Sequence, residues 1–254
     1  MLFSNVIPFE LHKCFIMKIL KNTPKNWFAG VSIVCLSTLL LSSCLKSSNN
    51  DYYNPPVAYF AFIQASPDEP PVNLFLNNNQ VNFNPLLFDD YLGYVRAYTG
   101  LRTINVNNAS TMTQILSDTA HLYQNQYYTM FMVNKPSTPQ TLLLKDTLTQ
   151  PASGKAIIRF VNVSPDAGAV DLWIQGGAKL VQNKAFKGYS AFIPVSATAG
   201  TLQVTQAGTS TVLATLPAAQ LLAGSVYTIW LYGLANTTVT GEKLGINITC
   251  NANY

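Results

Sequence analysis

The sequence contains an internal repeat, and this duplication constrains the fold more than any other feature of the sequence. Residues 58–76 align without a gap on residues 156–174 at a constant offset of 98, with seven of nineteen positions identical. Two aromatic pairs further along keep the same offset, namely Phe88 with Phe186 and Tyr91 with Tyr189. Because self-similarity at a fixed period indicates repeated structural units, the sequence predicts two similar domains in tandem.

The pattern within each unit is that of short β-strands. In the second unit, residues 157–163 are rich in β-branched side chains, residues 164–168 form a turn-favouring cluster, and residues 170–174 alternate with a period of two. This alternation predicts a strand with one buried face. Further short strands separated by Gly, Pro and Asn are typical of a sandwich. We therefore predict an all-β protein of two tandem immunoglobulin-like β-sandwich domains.

A late tyrosine in each unit resembles the tyrosine corner of immunoglobulin-like sandwiches, where a tyrosine entering a strand bonds the backbone a few residues upstream. Tyr227 follows Gly224 in the second unit, and Tyr128 follows Asn125 in the first. Glycine and then asparagine adopt left-handed backbone conformations most readily. Gly224 and Asn125 are therefore expected to form equivalent left-handed turns.

The beginning of the chain has the layout of a bacterial lipoprotein signal peptide. From Met17, lysines precede an uncharged, mostly apolar run over residues 27–41, which is shorter than the roughly 20 residues that a spanning helix needs. The following Leu41-Ser42-Ser43-Cys44 resembles a lipobox, whose cysteine receives diacylglycerol and becomes the mature N-terminus. A plain signal peptide and an uncleaved signal anchor are the alternatives. We predict a Cys44 lipid anchor in the outer membrane, with periplasmic or surface display left open.

These features divide the chain into five segments. Proline-rich stretches place the boundary between the two units near residue 152. The predicted segments are an incorrectly assigned upstream start (1–16), a lipoprotein signal peptide (17–43), a lipidated polar tether (44–56), a first β-sandwich repeat (57–151) and a second (152–254).

The net charge of +4 belongs mostly to the predicted leader. Residues 1–43 contain four lysines and one glutamate, so 15 − 4 = 11 basic and 11 − 1 = 10 acidic residues remain, a net charge of +1. Binding to nucleic acid needs a clustered basic stripe, and the remaining basic residues are scattered. The sequence therefore predicts no nucleic-acid partner.

The predicted mature part contains two cysteines, Cys44 and Cys250. Because Cys44 is predicted to carry lipid, no intramolecular disulfide framework is left.

The most conspicuous polar motif is Ser-Pro-Asp, at residues 66–68 and 164–166. It describes a tight turn in which proline fixes φ and the aspartate bonds a nearby amide. The alternative is an oxygen-rich cation or ligand site. The residues of this turn motif and candidate cation site are Ser66, Asp68, Ser164, Asp166 and Asp171.

Catalytic groups are scarce in the predicted mature chain. A nucleophile needs an adjacent base, usually histidine, and this part of the chain contains only His121. Asp89 and Asp90 could supply the carboxylate pair of a glycosidase, but neighbours on a strand face opposite sides. No cluster of Cys and His suits zinc. We predict no enzymatic activity, no cofactor and no metal site.

Phe75 and Trp173 occupy matching positions on the strand face opposite the apolar residues. An outward aromatic ring can stack a sugar or anchor a protein; alternatively, a loop or the neighbouring domain covers it. We predict both as candidate ligand-binding residues of a non-catalytic binding or adhesion module that recognises a glycan or an envelope protein. The alternative is a structural spacer or assembly subunit of the envelope without its own ligand.

Two threonines lie in short Asp-Thr-apolar sequences, Thr119 after Asp118 and Thr147 after Asp146. These tripeptides resemble the acceptor of some bacterial periplasmic O-glycosylation systems. Thr119 and Thr147 are therefore candidate O-glycosylation sites.

The pattern Phe-x-x-x-Ser-Pro-Asp-x-x-x-Val-Asp/Asn-Leu, followed by a late Gly-x-x-Tyr-Thr strand, resembles the domain of unknown function 4397 family. The resemblance covers nearly all of residues 57–250. It implies an exported, all-β bacterial protein, often a lipoprotein with the domain in tandem, and it implies no established activity. The first unit departs from the pattern, because Asn73 stands where the second unit has Asp171.

Overall fold

The computed structural model describes residues 55–254, in which the regular elements are sixteen β-strands and one short 3-10 helix, Thr240–Glu242. The first eight strands are β1 (Val57–Gln64), β2 (Val72–Leu76), β3 (Asn79–Gln80), β4 (Tyr91–Tyr98), β5 (Gly100–Asn108), β6 (Gln114–Leu122), β7 (Tyr127–Val133) and β8 (Gln140–Asp146). The second eight are β9 (Lys155–Asn162), β10 (Val170–Ile174), β11 (Lys179–Lys184), β12 (Ile193–Ser196), β13 (Thr198–Gln206), β14 (Val212–Leu221), β15 (Ser225–Tyr232) and β16 (Gly245–Asn253). The all-β prediction is confirmed.

Each set of eight strands forms two four-stranded sheets with the same strand order. The first set forms sheets β4-β1-β7-β8 and β3-β2-β5-β6, and the second forms β12-β9-β15-β16 and β11-β10-β13-β14. Strand β1 runs parallel to β7, and β9 runs parallel to β15, whereas the other neighbouring strands are antiparallel. The described residues therefore form two β-sandwiches of matching topology.

Each sandwich has its own apolar core between its two sheets. Alternate residues of facing strands supply it, as the period-two pattern predicts. Fully buried members in the first sandwich include Phe60, Phe62, Leu74, Ile104 and Met130. Those in the second include Ile158, Phe160, Leu172, Val204 and Ile229.

A third apolar cluster joins the two sandwiches. Sheet β4-β1-β7-β8 contributes Ile63 and Phe131, and sheet β12-β9-β15-β16 contributes Val161 and Trp230, all of them buried. The rings of Phe131 and Trp230 meet edge to face, with centroids 6.2 Å apart. Because these residues point away from the two cores, the two sheets pack against each other. Residues 55–254 are thus one compact unit of four stacked sheets.

The tyrosine corner occurs in both sandwiches. The hydroxyls of Tyr128 and Tyr227 each accept a hydrogen bond from the backbone N–H five residues upstream, at 3.3 and 3.1 Å. Asn125 has φ 57° and Gly224 has φ 80°, so both adopt the left-handed conformation. The turn predicted from these residues is confirmed.

Strand β8 pairs with β7 as an edge strand of the first sandwich. The connection to the second sandwich runs from the end of β8 at Asp146 to the start of β9 at Lys155.

Within residues 55–254, no helix is long and apolar enough to cross a membrane. The predicted signal peptide, Cys44 and most of the tether lie outside the described residues.

Candidate ligand-binding groove on the second sandwich

Strand β10 places Trp173 on the outer surface of the second sandwich. Val170 and Leu172 point into the core and are fully buried, whereas Asp171 and Trp173 occupy the opposite face. Trp173 is half-buried, and it lies outside the apolar cluster that joins the two sandwiches. The outward direction predicted for this ring is confirmed, and the neighbouring sandwich does not cover it.

Residues of the two flanking strands fix the Trp173 ring. Its indole Nε1–H donates a hydrogen bond of 3.1 Å to the hydroxyl oxygen of Thr205 on β13. The Lys179 ammonium on β11 lies 4.7 Å from the ring centroid, within the range of a cation–π interaction. Because the N–H is bonded and the ammonium lies over the ring, the indole presents its remaining apolar surface to the groove.

A buried carboxylate holds the lysine in place. Asp171 is 1% exposed, and its Oδ2 accepts a hydrogen bond of 2.7 Å from the Lys179 ammonium. Backbone N–H groups of Asn183 and Gly208 donate to the same carboxylate. Burial would raise the pKa of Asp171, but the bond from Lys179 and the two amide bonds outweigh it and hold the pKa below its ordinary value. The carboxylate is therefore ionised at neutral pH.

These residues line an open groove with a volume of about 400 Å³, a size typical of small-molecule sites. Polar side chains surround the tryptophan. The lining residues are Trp173, Lys179, Gln203, Thr205, Gly208, Thr209 and Ser210. Within residues 55–254, the side chains of Gln203 and Ser210 have no hydrogen-bond partner. The tryptophan could be predicted from the sequence but its partners could not, because only strand pairing brings them together.

The matching position of the first sandwich is built differently. Phe75 is half-buried on the outer face of β2, beside Gln80 of β3. Asn73 replaces the buried aspartate, and its side-chain oxygen accepts a hydrogen bond of 3.0 Å from Asn82. Its Nδ2 lies 3.9 Å from the Met112 sulfur. The first sandwich therefore lacks both the ion pair and the lysine over the ring.

The two Ser-Pro-Asp motifs occupy turns. Pro67 and Asp68 form a hydrogen-bonded turn in which Asp68 has φ 66°. Asp166 departs from the expected local bond, because its carboxylate accepts backbone hydrogen bonds from Ala235 and Asn236, at 2.7 and 3.1 Å. It therefore fixes the distant β15–β16 connection.

The serines of these motifs also make structural bonds. The Ser66 hydroxyl donates to the backbone oxygen of Asn134, and the Ser164 N–H donates to Asn162 at 3.1 Å. Within residues 55–254, no group of three or more His, Cys, Asp or Glu side chains is arranged to hold a metal ion.

The other acidic candidates lie away from the groove. Asp89 and Asp90 belong to the turn before β4, so the argument that placed them on a strand is wrong. The Asp89 carboxylate accepts hydrogen bonds from Trp230 and Asn247 of the second sandwich, at 2.9 and 2.8 Å. Asp90 accepts the backbone N–H of Leu87 at 2.7 Å. The pair therefore divides between an inter-sandwich contact and a local turn.

The remaining predicted positions are on the surface. His121 is exposed on β6, and its ring packs on Tyr123 with centroids 4.5 Å apart. Thr119 and Thr147 are exposed, although Asp146, which precedes Thr147, is buried. Cys250 is exposed and forms no disulfide.

A buried ion pair between the sandwiches was not identified from the sequence. The Arg159 guanidinium on β9 donates to the Asp146 carboxylate on β8 at 2.5 Å, and both side chains are almost completely buried. Tyr94 and Thr129 donate to the same carboxylate, at 2.5 and 2.6 Å. Burial, followed by the nearby Asp146 charge, raises the pKa of Tyr94 above its ordinary value. The phenol is therefore neutral and acts as a donor.

The fold and the groove define a class of all-β proteins in which two stacked sandwiches carry an aromatic surface groove. The family model described as Domain of unknown function (DUF4397) matches residues 58–173, from β1 to the tryptophan of the groove. Over this range the chain is similar to the DUF4397 family, in agreement with the resemblance of its sequence motifs. No curated protein matches the chain.

Proposed function

We propose that this protein is a non-catalytic binding module of the cell envelope and that the Trp173 groove is its recognition surface. The observation that carries the proposal is an outward aromatic ring, fixed from both sides, beside polar side chains that have no partner within residues 55–254. Binding sites combine an apolar surface with a few well-placed polar groups in this way. The ligand is a glycan or a protein of the envelope.

The absence of catalysis is part of the proposal. The one carboxylate beside the groove, Asp171, is buried and already holds three donors, so it is unavailable as a general base. His121 and Asp89 lie in the first sandwich and make their own local or inter-sandwich contacts. This arrangement favours binding without turnover.

Binding is tested with the full-length protein in detergent. The probes are immobilised defined polysaccharides and an extract of envelope proteins, and retention is measured for the wild type and two variants. Trp173→Ala is expected to weaken retention at least about tenfold, because it removes the aromatic anchor. Phe75→Ala is the matched control, since it removes the equivalent ring of the first sandwich. Equal retention of Trp173→Ala and the wild type, with both folded, would rule out the groove as the recognition surface.

We also propose that Cys44 carries the lipid that anchors the protein in the outer membrane. The lipobox at residues 41–44 supports this assignment. Metabolic labelling with a fatty-acid analogue should tag the wild type and Cys250→Ala, whereas Cys44→Ala should remain unlabelled. Labelling of Cys44→Ala at the wild-type level would contradict the anchor. Protease treatment of intact cells then separates surface display from periplasmic location.

A structural role is the second candidate function. It is favoured by the buried Arg159–Asp146 pair and the Phe131–Trp230 contact, which hold the two sandwiches as one unit suited to act as a spacer. Crosslinking in intact cells followed by capture of the protein distinguishes the two functions. Stoichiometric envelope partners that are retained by Trp173→Ala would favour assembly over groove-dependent binding.

A further inference from the structure

The chemistry presented by the Trp173 groove points to one kind of ligand. The indole N–H is occupied by Thr205 and the Lys179 ammonium lies over the ring, so the part of the indole that still lines the groove is apolar. A pyranose ring has such a complement, because its axial C–H bonds form a flat apolar patch while its hydroxyls project around the rim. An aromatic face bordered by polar groups therefore matches a sugar in shape and polarity.

The groups around the ring include both hydrogen-bond donors and hydrogen-bond acceptors. A lysine ammonium has three N–H donors, and the Asp171 carboxylate takes one of those of Lys179. The Gln203 amide and the Ser210 hydroxyl can each donate and accept. Sugar hydroxyls also donate and accept, so they can satisfy this mixed set. An apolar protein side chain in the groove would leave these groups without partners, which is costly once water is excluded.

The charges in the groove cancel. Among residues 55–254, Lys179 is the only charged side chain that lines it, and the ionised Asp171 lies directly behind it at 2.7 Å. An anionic ligand would have to compete with this buried carboxylate for the ammonium. The ion pair does not exist in the first sandwich, where Asn73 and Gln80 occupy the matching region.

We infer that the Trp173 groove binds an uncharged saccharide, at one site per chain. The inference rests on the proposed function, because it names the ligand class of that recognition surface. Lys179 acts there as a hydrogen-bond donor to hydroxyls, held in position by Asp171, and Trp173 supplies the stacking surface.

Calorimetry with the full-length protein in detergent tests the inference. The probes are neutral oligosaccharides and the uronic-acid oligosaccharides of the same linkage and length. Neutral oligosaccharides are expected to bind with a stoichiometry of one per chain, and raising the salt concentration should leave the affinity unchanged. Tighter binding of the uronates, weakened by salt, would overturn the neutral-ligand assignment.

Variants locate the binding and guard against misfolding. Trp173→Ala should lose at least about tenfold in affinity, and Gln203→Ala should also lose affinity although its side chain makes no hydrogen bond within residues 55–254. Lys184→Met is a control for Lys179→Met, since both change the charge of β11 but only Lys179 lines the groove. Unchanged affinity in the folded Gln203→Ala and Lys179→Met variants would overturn the proposed hydrogen bonds from these two side chains to the saccharide.

The proposed function and the saccharide assignment fail in different ways. In one outcome, retention depends on Trp173, is lost after protease treatment of the probe, and survives periodate oxidation of the probe's sugars. This outcome would keep the groove as a recognition surface but overturn the assignment of a saccharide ligand. Loss of retention after periodate alone supports the saccharide. Failure to retain any polysaccharide or envelope protein would overturn both.

Discussion

At the scale of single residues, Asp89 has an unusual environment at the contact between the two sandwiches. It is half-buried in a turn with φ 67°, and both of its oxygens accept hydrogen bonds from the second sandwich. Burial raises the pKa of its carboxyl from 3.8 to about 6, although the bonds from Trp230 and Asn247 oppose the shift. The charge of Asp89 therefore opposes folding at neutral pH.

This environment predicts that stability falls as the pH rises. Because the folded pKa lies above the unfolded one, folding takes up a proton between about pH 4 and pH 6, and the free energy of unfolding decreases through that interval. Asp89→Asn should remove this dependence, worth about 1 to 2 kcal/mol after allowance for solvent screening. Urea unfolding of both proteins at pH 4 and pH 7 measures it.

A matched control is Asp90→Asn, which changes the neighbouring carboxylate that bonds only its own turn. Its pH profile should follow that of the wild type. If Asp89→Asn kept the wild-type profile as well, the pKa of Asp89 would have to be close to that of an exposed aspartate.

Single residues also show which features could be predicted from the sequence and which could not. The outward direction of Trp173 could be predicted, because alternation along a strand is a local property. Its contacts with Thr205 and Lys179 could not, because they depend on which strands pair and in what register. The long-range hydrogen bond from Trp230 to Asp89 could not be predicted for the same reason. Local rules therefore identified the ring of the candidate site but not its surroundings.

At the scale of elements, the connection between β15 and β16 depends on a close backbone approach. Gly233 has φ 85°, and a Cβ atom there would lie 2.3 Å from the backbone oxygen of Lys243. Asp166 fixes the same connection by accepting the N–H groups of Ala235 and Asn236. The second Ser-Pro-Asp motif and this glycine thus shape one loop from two sides.

Gly233→Ala is therefore expected to destabilise the protein by more than its backbone conformation alone would cost. Gly154→Ala is the matched comparison, because Gly154 also has a positive φ but a Cβ there meets nothing within 4 Å. The comparison variant should lose about 1 kcal/mol, and Gly233→Ala should lose clearly more because the carbonyl must move. Thermal unfolding of both variants measures the difference, and equal losses would contradict the steric argument.

Strands β1 and β9 bury both faces, a state that their nearly continuous apolar residues favour. Strand β16 was not predicted, because its exposed-looking asparagines resemble a polar loop. In the fold, Asn247 bonds Asp89 and Asn251 bonds Tyr94, so these residues belong to the contact between sandwiches. Polar residues that pair across an interface cannot be distinguished from solvated ones by sequence alone.

At the scale of the whole molecule, a polar network inside an apolar contact holds the sandwiches together. Arg159 bonds Asp146 of the first sandwich and Thr228 of its own. Its guanidinium also lies 4.6 Å from the Phe192 ring centroid. Because a buried charge without a partner is strongly unfavourable, the pair favours the stacked arrangement over any in which the two sheets separate.

Arg159→Met should therefore destabilise the protein by about 3 to 5 kcal/mol, since it leaves Asp146 buried without its cation. It should also separate the unfolding of the two sandwiches, which in the wild type is expected as one transition. Urea unfolding followed by circular dichroism, which reports on both sandwiches, and by the fluorescence of Trp173 and Trp230, which lie in the second, measures both effects. Lys145→Met makes the same chemical change at an exposed site next to Asp146, and an equal loss in that variant would show that the ion pair contributes nothing specific.

The parallel pairing of β1 with β7 determines the order in which each sandwich can form. Tyr59 lies beside Tyr127 in the sheet, so β1 has no parallel partner until most of the first unit has been synthesised. Until then Phe60 and Phe62 lack the neighbouring strand β7, whose Met130 and Met132 belong to the same apolar core. Strand β9 meets the same delay before β15. Long-range pairing slows folding and prolongs the exposure of apolar strands, so each unit depends on protection from aggregation until its seventh strand is available.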